Sequence, residues 1–163
     1  MVNNRKYKVK KKQLIKPDIQ ANFWNGDPDI DAVCRMIFKP ECSFKKNIFP
    51  FFSKKISPFN SQNTLISRKV IKDYFLFPHI GRMDDIWASF YVTSKKYRVI
   101  YNEPTVYQQR NVHNLIKDFK DEYIGYVNSL NLVESLYKNS DNITKFLPKK
   151  SSLAFDEWKK LIK

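Results

Sequence analysis

Four polar clusters stand out from a chain otherwise dominated by lysines and aromatics: residues 26–31, 60–63, 82–85 and 108–114. Adjacent carboxylates such as Asp84 and Asp85 can take a proton from a hydroxyl or hold a sugar, and two neighbouring acids perturb each other's ionisation. Asp85 is the first candidate for a catalytic or substrate-positioning carboxylate and Asp84 the second. Arg82 and Arg110 can offer paired donors to a diphosphate, and three of the six arginines, Arg35, Arg82 and Arg110, fall in or beside these clusters. His113 can bind a metal or a phosphate, although a lone histidine at a helix start also serves as a hydrogen-bonded surface group. Asp29, Asp31, Asn60 and Gln62 complete the binding candidates, with Trp87 either packing its helix or stacking on a sugar ring. Each cluster falls where an element is expected to end. Loop ends are where α/β proteins place ligand-binding groups, so the distribution predicts one shared pocket. The competing reading for any single cluster is a set of caps and turns.

The elements that must position these residues follow from local chemistry. Residues 1–20 read as a basic flexible arm outside the core, with at most a short strand around Tyr7 and Val9, closed by Lys16-Pro17. Asn25-Gly26 is a turn signal. Asp27 can cap a helix whose first position suits Pro28, with Asp29 and Asp31 near its positive end and Ile30, Val33 and Ile37 on its apolar face. Residues 38–58 lack a clear period and read as a loop with one short strand within 48–52. Thr64-Leu65-Ile66 is a strand, followed by a helix that Ser67 can cap and that carries Val70, Ile71, Tyr74 and Phe75. Arg82-Met83-Asp84-Asp85 opens a second helix bearing Ile86, Trp87, Phe90 and Tyr91. Tyr97, Val99 and Tyr101 alternate as a strand ending at Glu103-Pro104, with a second strand at 105–108. Helical patterns resume beyond Asn111, with breaks expected near Gly125, Asn139 and Pro148. Early strands and closing helices predict an α/β fold with a helical C-terminal tail over 127–163.

Composition narrows the function classes. The 163 residues amount to one domain, and 42% apolar with 15% aromatic residues is enough to bury a core. No window is apolar enough for a membrane span, and the N-terminus lacks the apolar stretch of a secretory signal. Cys34 and Cys42 form no Cys-x-x-Cys pair, so reduced thiols and a cytoplasmic location are expected, with no metal ligands assigned. The +14 charge comes from 24 Lys and only 6 Arg against 16 acids. Lysine supplies point charge rather than planar base reading, so specific nucleic-acid recognition is not expected.

Asp27-Pro28-Asp29 and Asp29-Ile30-Asp31 both match the Asp-x-Asp pattern of metal-dependent nucleotide-sugar glycosyltransferases. In those enzymes the pair follows a buried apolar strand, and 22–26 does not read as one, so the helix-start reading is preferred. The segment Ile80-Gly81-Arg82-Met83-Asp84-Asp85-Ile86-Trp87-Ala88 resembles the Gly-Arg-x-Asp-Asp-x-Trp-Ala stretch of the reversibly glycosylated polypeptides, the UDP-arabinopyranose mutases. Residues 26–32 and 58–65 resemble the related STELLO-like proteins, which share a GT-A type glycosyltransferase fold. The resemblance covers about 23–126 and implies the C-terminal half of that fold, a partial GT-A-like mixed sheet with flanking helices.

What the resemblance implies for function is glycosyl transfer from a nucleotide sugar, or a related sugar mutase activity, to a sugar acceptor. It implies Mn2+ or Mg2+ with the nucleotide sugar, and a nucleotide-binding half supplied by a partner chain. Asp85 and Asp84 would carry the chemistry, Arg82 would hold the loop or a phosphate, and Asn60, Gln62 and Arg110 would line the acceptor side. An open sheet edge where that half would pack predicts self-association. The alternative is a non-catalytic basic module that binds nucleic acid or an anionic surface through its lysine-rich arm, with steep salt dependence.

Overall fold

The computed structural model describes residues 16–162. Four strands, β1 (Ile19–Gly26), β2 (Phe51–Phe52), β3 (Thr64–Ile66) and β4 (Val99–Gln108), alternate with five helices: α1 (Ala32–Ile37), α2 (Arg68–Ile71), α3 (Asp84–Ser94), α4 (Leu115–Lys138) and α5 (Lys149–Leu161). The strands form one mixed sheet in the order β2-β4-β1-β3, in which β1 and β4 are parallel and both outer pairs antiparallel. This is the expected α/β class, a mixed sheet with flanking helices and a helical C-terminal segment.

The central strand is the one the sequence hides. β1 begins at Ile19, which is fully buried, so the basic arm ends earlier than residue 20; the strand expected around Tyr7 and Val9 lies outside the described residues. It also places a strand directly before Asp27, where none was expected. Its amides disguise it: Asn102 Nδ2 donates to Asn22 Oδ1 at 3.0 Å and Phe44 N to Asn25 Oδ1 at 3.1 Å. Ile19 and Ala21 alternate inward into the core.

β4 runs unbroken through Pro104 instead of dividing there. Its register against β1 shifts between the Asn22–Asn102 and Trp24–Val106 pairs, an irregularity of the kind that tolerates a residue without an N–H. α1 starts at Ala32 and not beside Pro28, with Asp31 as its cap accepting from Cys34 N at 2.9 Å. Asp27 is drawn away by Arg35, whose Nη2 lies 2.7 Å from its Oδ1. α2 stops at Ile71, short of the helical spacing that extends to Phe75.

α4 continues through Gly125, where a break was expected. A Cβ at that position would come within 2.5 Å of Met83 Sδ, so the missing side chain admits the turn that precedes α3. The expected boundary between 126 and 127 therefore falls inside one helix. The C-terminal segment also shares the core: Leu132, Leu136, Ile143 and Phe155 are buried with Trp87, Tyr91 and Phe77. Phe155 packs edge-on against Phe77 and Tyr91, with ring centroids 5.2 and 5.3 Å away. Among the described residues no helix is long and apolar enough to cross a membrane.

Candidate functional site

β1 and β4 end side by side, Gly26 paired with Gln108, so the loops that follow emerge together at the carboxyl ends of the parallel strands. That is where open α/β sheets form ligand crevices. One loop carries Asp27, Asp29 and Asp31, the other Arg110 and His113. The turn before β3 brings Asn60–Asn63 to the same place, and the start of α3 brings Arg82–Asp85. The contacts are direct. Ser61 donates through N and Oγ to Asp85 Oδ2 at 2.8 and 3.1 Å, and Gln62 Nε2 donates to Asp29 Oδ2 at 3.1 Å. Arg110 Nη2 lies 2.5 Å from Asp29 Oδ1, and Arg82 Nη2 lies 3.6 Å from it. A cleft of about 370 Å³ opens here, walled by Asp29, Asp31, Asn60, Arg82 and Asp85 together with Glu122 and Tyr126 of α4.

The two arginines are not available as a diphosphate clamp. Arg82 Nε donates to Glu122 Oε1 at 2.9 Å, and Arg82 Nη1 lies 3.7 Å from Asp118 Oδ1. Burial works against its charge, but Glu122, Asp118 and Asp29 outweigh that and hold the guanidinium protonated beyond its ordinary range. The Arg110 side chain is buried in its ion pair with Asp29, and its Nε has no hydrogen-bond partner among the described residues. The charged walls of the cleft are thus four carboxylates, Asp29, Asp31, Asp85 and Glu122, against Arg82 alone. In a chain of net charge +14 this cleft is acidic, and a phosphate would meet repulsion there.

Asp85 sits in the cleft wall with its ionisation pushed above the usual carboxylate range. Burial is the main cause, Asp84 and Asp29 add to it, and the two Ser61 donors oppose it. Asp84 does not line the cleft; its Oδ1 accepts from Asp85 N at 2.8 Å and holds the first turn of α3. Trp87 is fully buried, its Nε1 donating to Ser129 Oγ at 3.0 Å, so of its two expected roles, packing its helix or stacking on a sugar ring, the packing role is the one its position serves. His113 is also outside the cleft, with Nδ1 2.9 Å from Asp118 Oδ2. Gln62 faces a separate shallow groove of about 280 Å³ that also exposes Trp24, Asn63 and Tyr107.

The residues the sequence reading missed come from α4. Glu122 is buried and fully engaged: Oε2 accepts from Ala32 N at 2.7 Å while Oε1 accepts from Arg82. Tyr126 Oη stands 2.7 Å from Glu122 Oε2 and 3.0 Å from Asp31 Oδ1, bridging the two carboxylates. Burial and those two carboxylates raise the phenol well above its ordinary range. The signal was the spacing of Asp118, Glu122 and Tyr126, four apart and therefore on one face of a helix.

The residues do not fit the divalent cation that the resemblance implies. Asp27 is paired with Arg35, Asp29 with Arg110 and Gln62, and Asp31 caps α1, so the acidic run presents no free set of oxygens for a hard cation. Among the described residues no group of three or more His, Cys, Asp or Glu is arranged to hold a metal. Comparison with protein-family models and with curated proteins returns no match.

Proposed function

We propose that this chain is a glycosyltransferase-like α/β domain whose acidic cleft holds a neutral or amino sugar by its hydroxyls, with Asp85 as the base for an attacking hydroxyl. The observation that supports this is the convergence of four polar clusters, remote in sequence, at the carboxyl ends of β1 and β4 around Asp85. Carboxylates accept well from sugar hydroxyls. Ser61 engages Oδ2 of Asp85 and leaves Oδ1 for the ligand. Burial strengthens Asp85 as a base once it is ionised.

In the proposed step the hydroxyl oxygen bonds to the anomeric carbon, its proton passes to Asp85, and the nucleoside diphosphate leaves with the bonding pair. Asn60 and Tyr126 help to orient the sugar, while Glu122 and Arg82 keep the wall rigid. The nucleotide sugar is held by a second polypeptide. Neither arginine at this cleft is free for that diphosphate.

Thermal melts of the full chain at constant salt test the reading, with a panel of mono- and disaccharides and, separately, with uridine diphosphate plus Mn2+. A ligand at about a hundred times its dissociation constant adds roughly 2.7 kcal/mol, a shift of several degrees. A saccharide is expected to raise the midpoint, and uridine diphosphate with Mn2+ is not. A rise with the nucleotide and none with any sugar would overturn the reading.

A further inference from the structure

Helix α4 carries a second apolar face that its own fold covers only in part, through the contacts of Tyr126 with α1 and of Tyr137 with Ile56. Its core face is Glu122, Gly125, Leu132 and Leu136. Roughly a third of a turn away, Ile116, Tyr123, Leu130 and Tyr137 recur every seven residues, and Phe119, Tyr126 and Val133 repeat with the same period three positions later. The first set is 62%, 57%, 72% and 59% exposed. Such a sustained first-and-fourth heptad pattern is the signature of a coiled-coil seam, and apolar side chains left in water in that pattern call for a partner helix.

We propose that two copies of this chain associate through α4, the two helices packing antiparallel along this seam. Charge decides the occupant and the direction. Lys120 and Glu134 flank the seam at equivalent heptad positions, both exposed, and neither has an ion-pair partner among the described residues. With Phe119 layered against the partner's Tyr137, Tyr123 against the partner's Val133 and Tyr126 against the partner's Leu130, Lys120 faces the partner's Glu134. The two-fold axis makes that pair twice and brings Val127, itself 53% exposed, against its own copy. A parallel pair would instead set Lys120 against the partner's Leu115 and Glu134 against the partner's Ser129, neither of which offers an opposite charge. The two outer strands are too short to offer a comparable template. β2 and β3 are two and three residues long.

The test is sedimentation equilibrium of the full chain and four variants, each checked for an unchanged circular-dichroism spectrum. Wild type is expected to dimerise and Leu130→Asp to abolish the dimer. Lys120→Glu or Glu134→Lys alone should weaken it about tenfold, as two attractions become two repulsions, and the double exchange should restore it. A wild-type chain that stays monomeric at the highest soluble concentration overturns the proposal. So does a dimer indifferent to Leu130→Asp, or one in which the double exchange fails to rescue folded single variants. Tyr126 belongs both to the seam and to the cleft wall, and all four variants leave it in place, so the oligomeric state is read separately from sugar binding.

Discussion

Arg82 Nε donates to Glu122 Oε1 at 2.9 Å across forty residues of sequence, and this one contact ties the turn before α3 to the middle of α4. Glu122 passes the link on, because its other oxygen accepts from the first helical N–H of α1. Three elements of the cleft wall therefore share one buried carboxylate.

Replacing Arg82 by Ala leaves Glu122 buried without its cation and removes the longer contacts to Asp118 and Asp29. The loss should be roughly 2–4 kcal/mol, toward the lower part because the arginine is itself partly exposed. Urea unfolding measures it, and adding Glu122→Gln to Arg82→Ala should cost less than the sum of the single effects.

Two glycines should respond differently to alanine. Gly81 has φ +59° and its missing Cβ would run into the backbone carbonyl of Asp121, so Gly81→Ala must move α4 and should cost more than about 2 kcal/mol. At Gly125 the obstruction is the flexible Met83 side chain, and the helix gains about 1 kcal/mol from alanine, so Gly125→Ala should be close to neutral. Thermal unfolding of the pair separates them.

Two aspartates should move stability in opposite directions with pH. Asp18 is buried, which opposes ionisation, yet Lys69 and the Arg98 backbone and side chain hold its carboxyl below the ordinary range. Its contribution is present above about pH 4 and fades as pH falls through the lowered value, so Asp18→Asn should destabilise at pH 7 and progressively less in acid. Asp85 is raised instead, so the folded state binds its proton more tightly than the unfolded state and stability falls as pH climbs from about 4 through the raised value. Asp85→Asn should therefore raise the melting point at pH 7, with the gain closing in acid, while lowering transfer by about 10²–10⁴.

Trp87 separates packing from recognition. Trp87→Phe removes the hydrogen bond to Ser129 and part of the core volume, and should cost about 1–3 kcal/mol while leaving saccharide affinity unchanged. Isothermal titration beside chemical unfolding reads both quantities.

The sequence carried β3, the start of α3 and the clustering of polar loop ends, because strand alternation and capping chemistry are local. It concealed β1, whose inward Ile19 and Ala21 are followed by Asn22 and Asn25, which find their partners on Asn102 and Phe44, remote in sequence. It misplaced the start of α1 because Pro28 and Asp27 satisfy local capping rules, whereas Arg35 claims Asp27 from within the helix. Arg82 and Arg110 read as phosphate ligands until their carboxylate partners, up to eighty-one residues away, were in place. Glu122 and Tyr126 were visible only as helical spacing, which says that they share a face and not what that face meets.

The central claim is that the cleft around Asp85 receives sugar hydroxyls. The most direct measurement is an amide-resolved NMR titration of the full chain with the saccharide that gives the largest thermal shift. The account predicts perturbation centred on Ser61, whose N–H donates to Asp85, and on the neighbouring positions 60, 85 and 125–129. Perturbation confined to the Trp24–Tyr107 groove, with Ser61 unmoved, would contradict it.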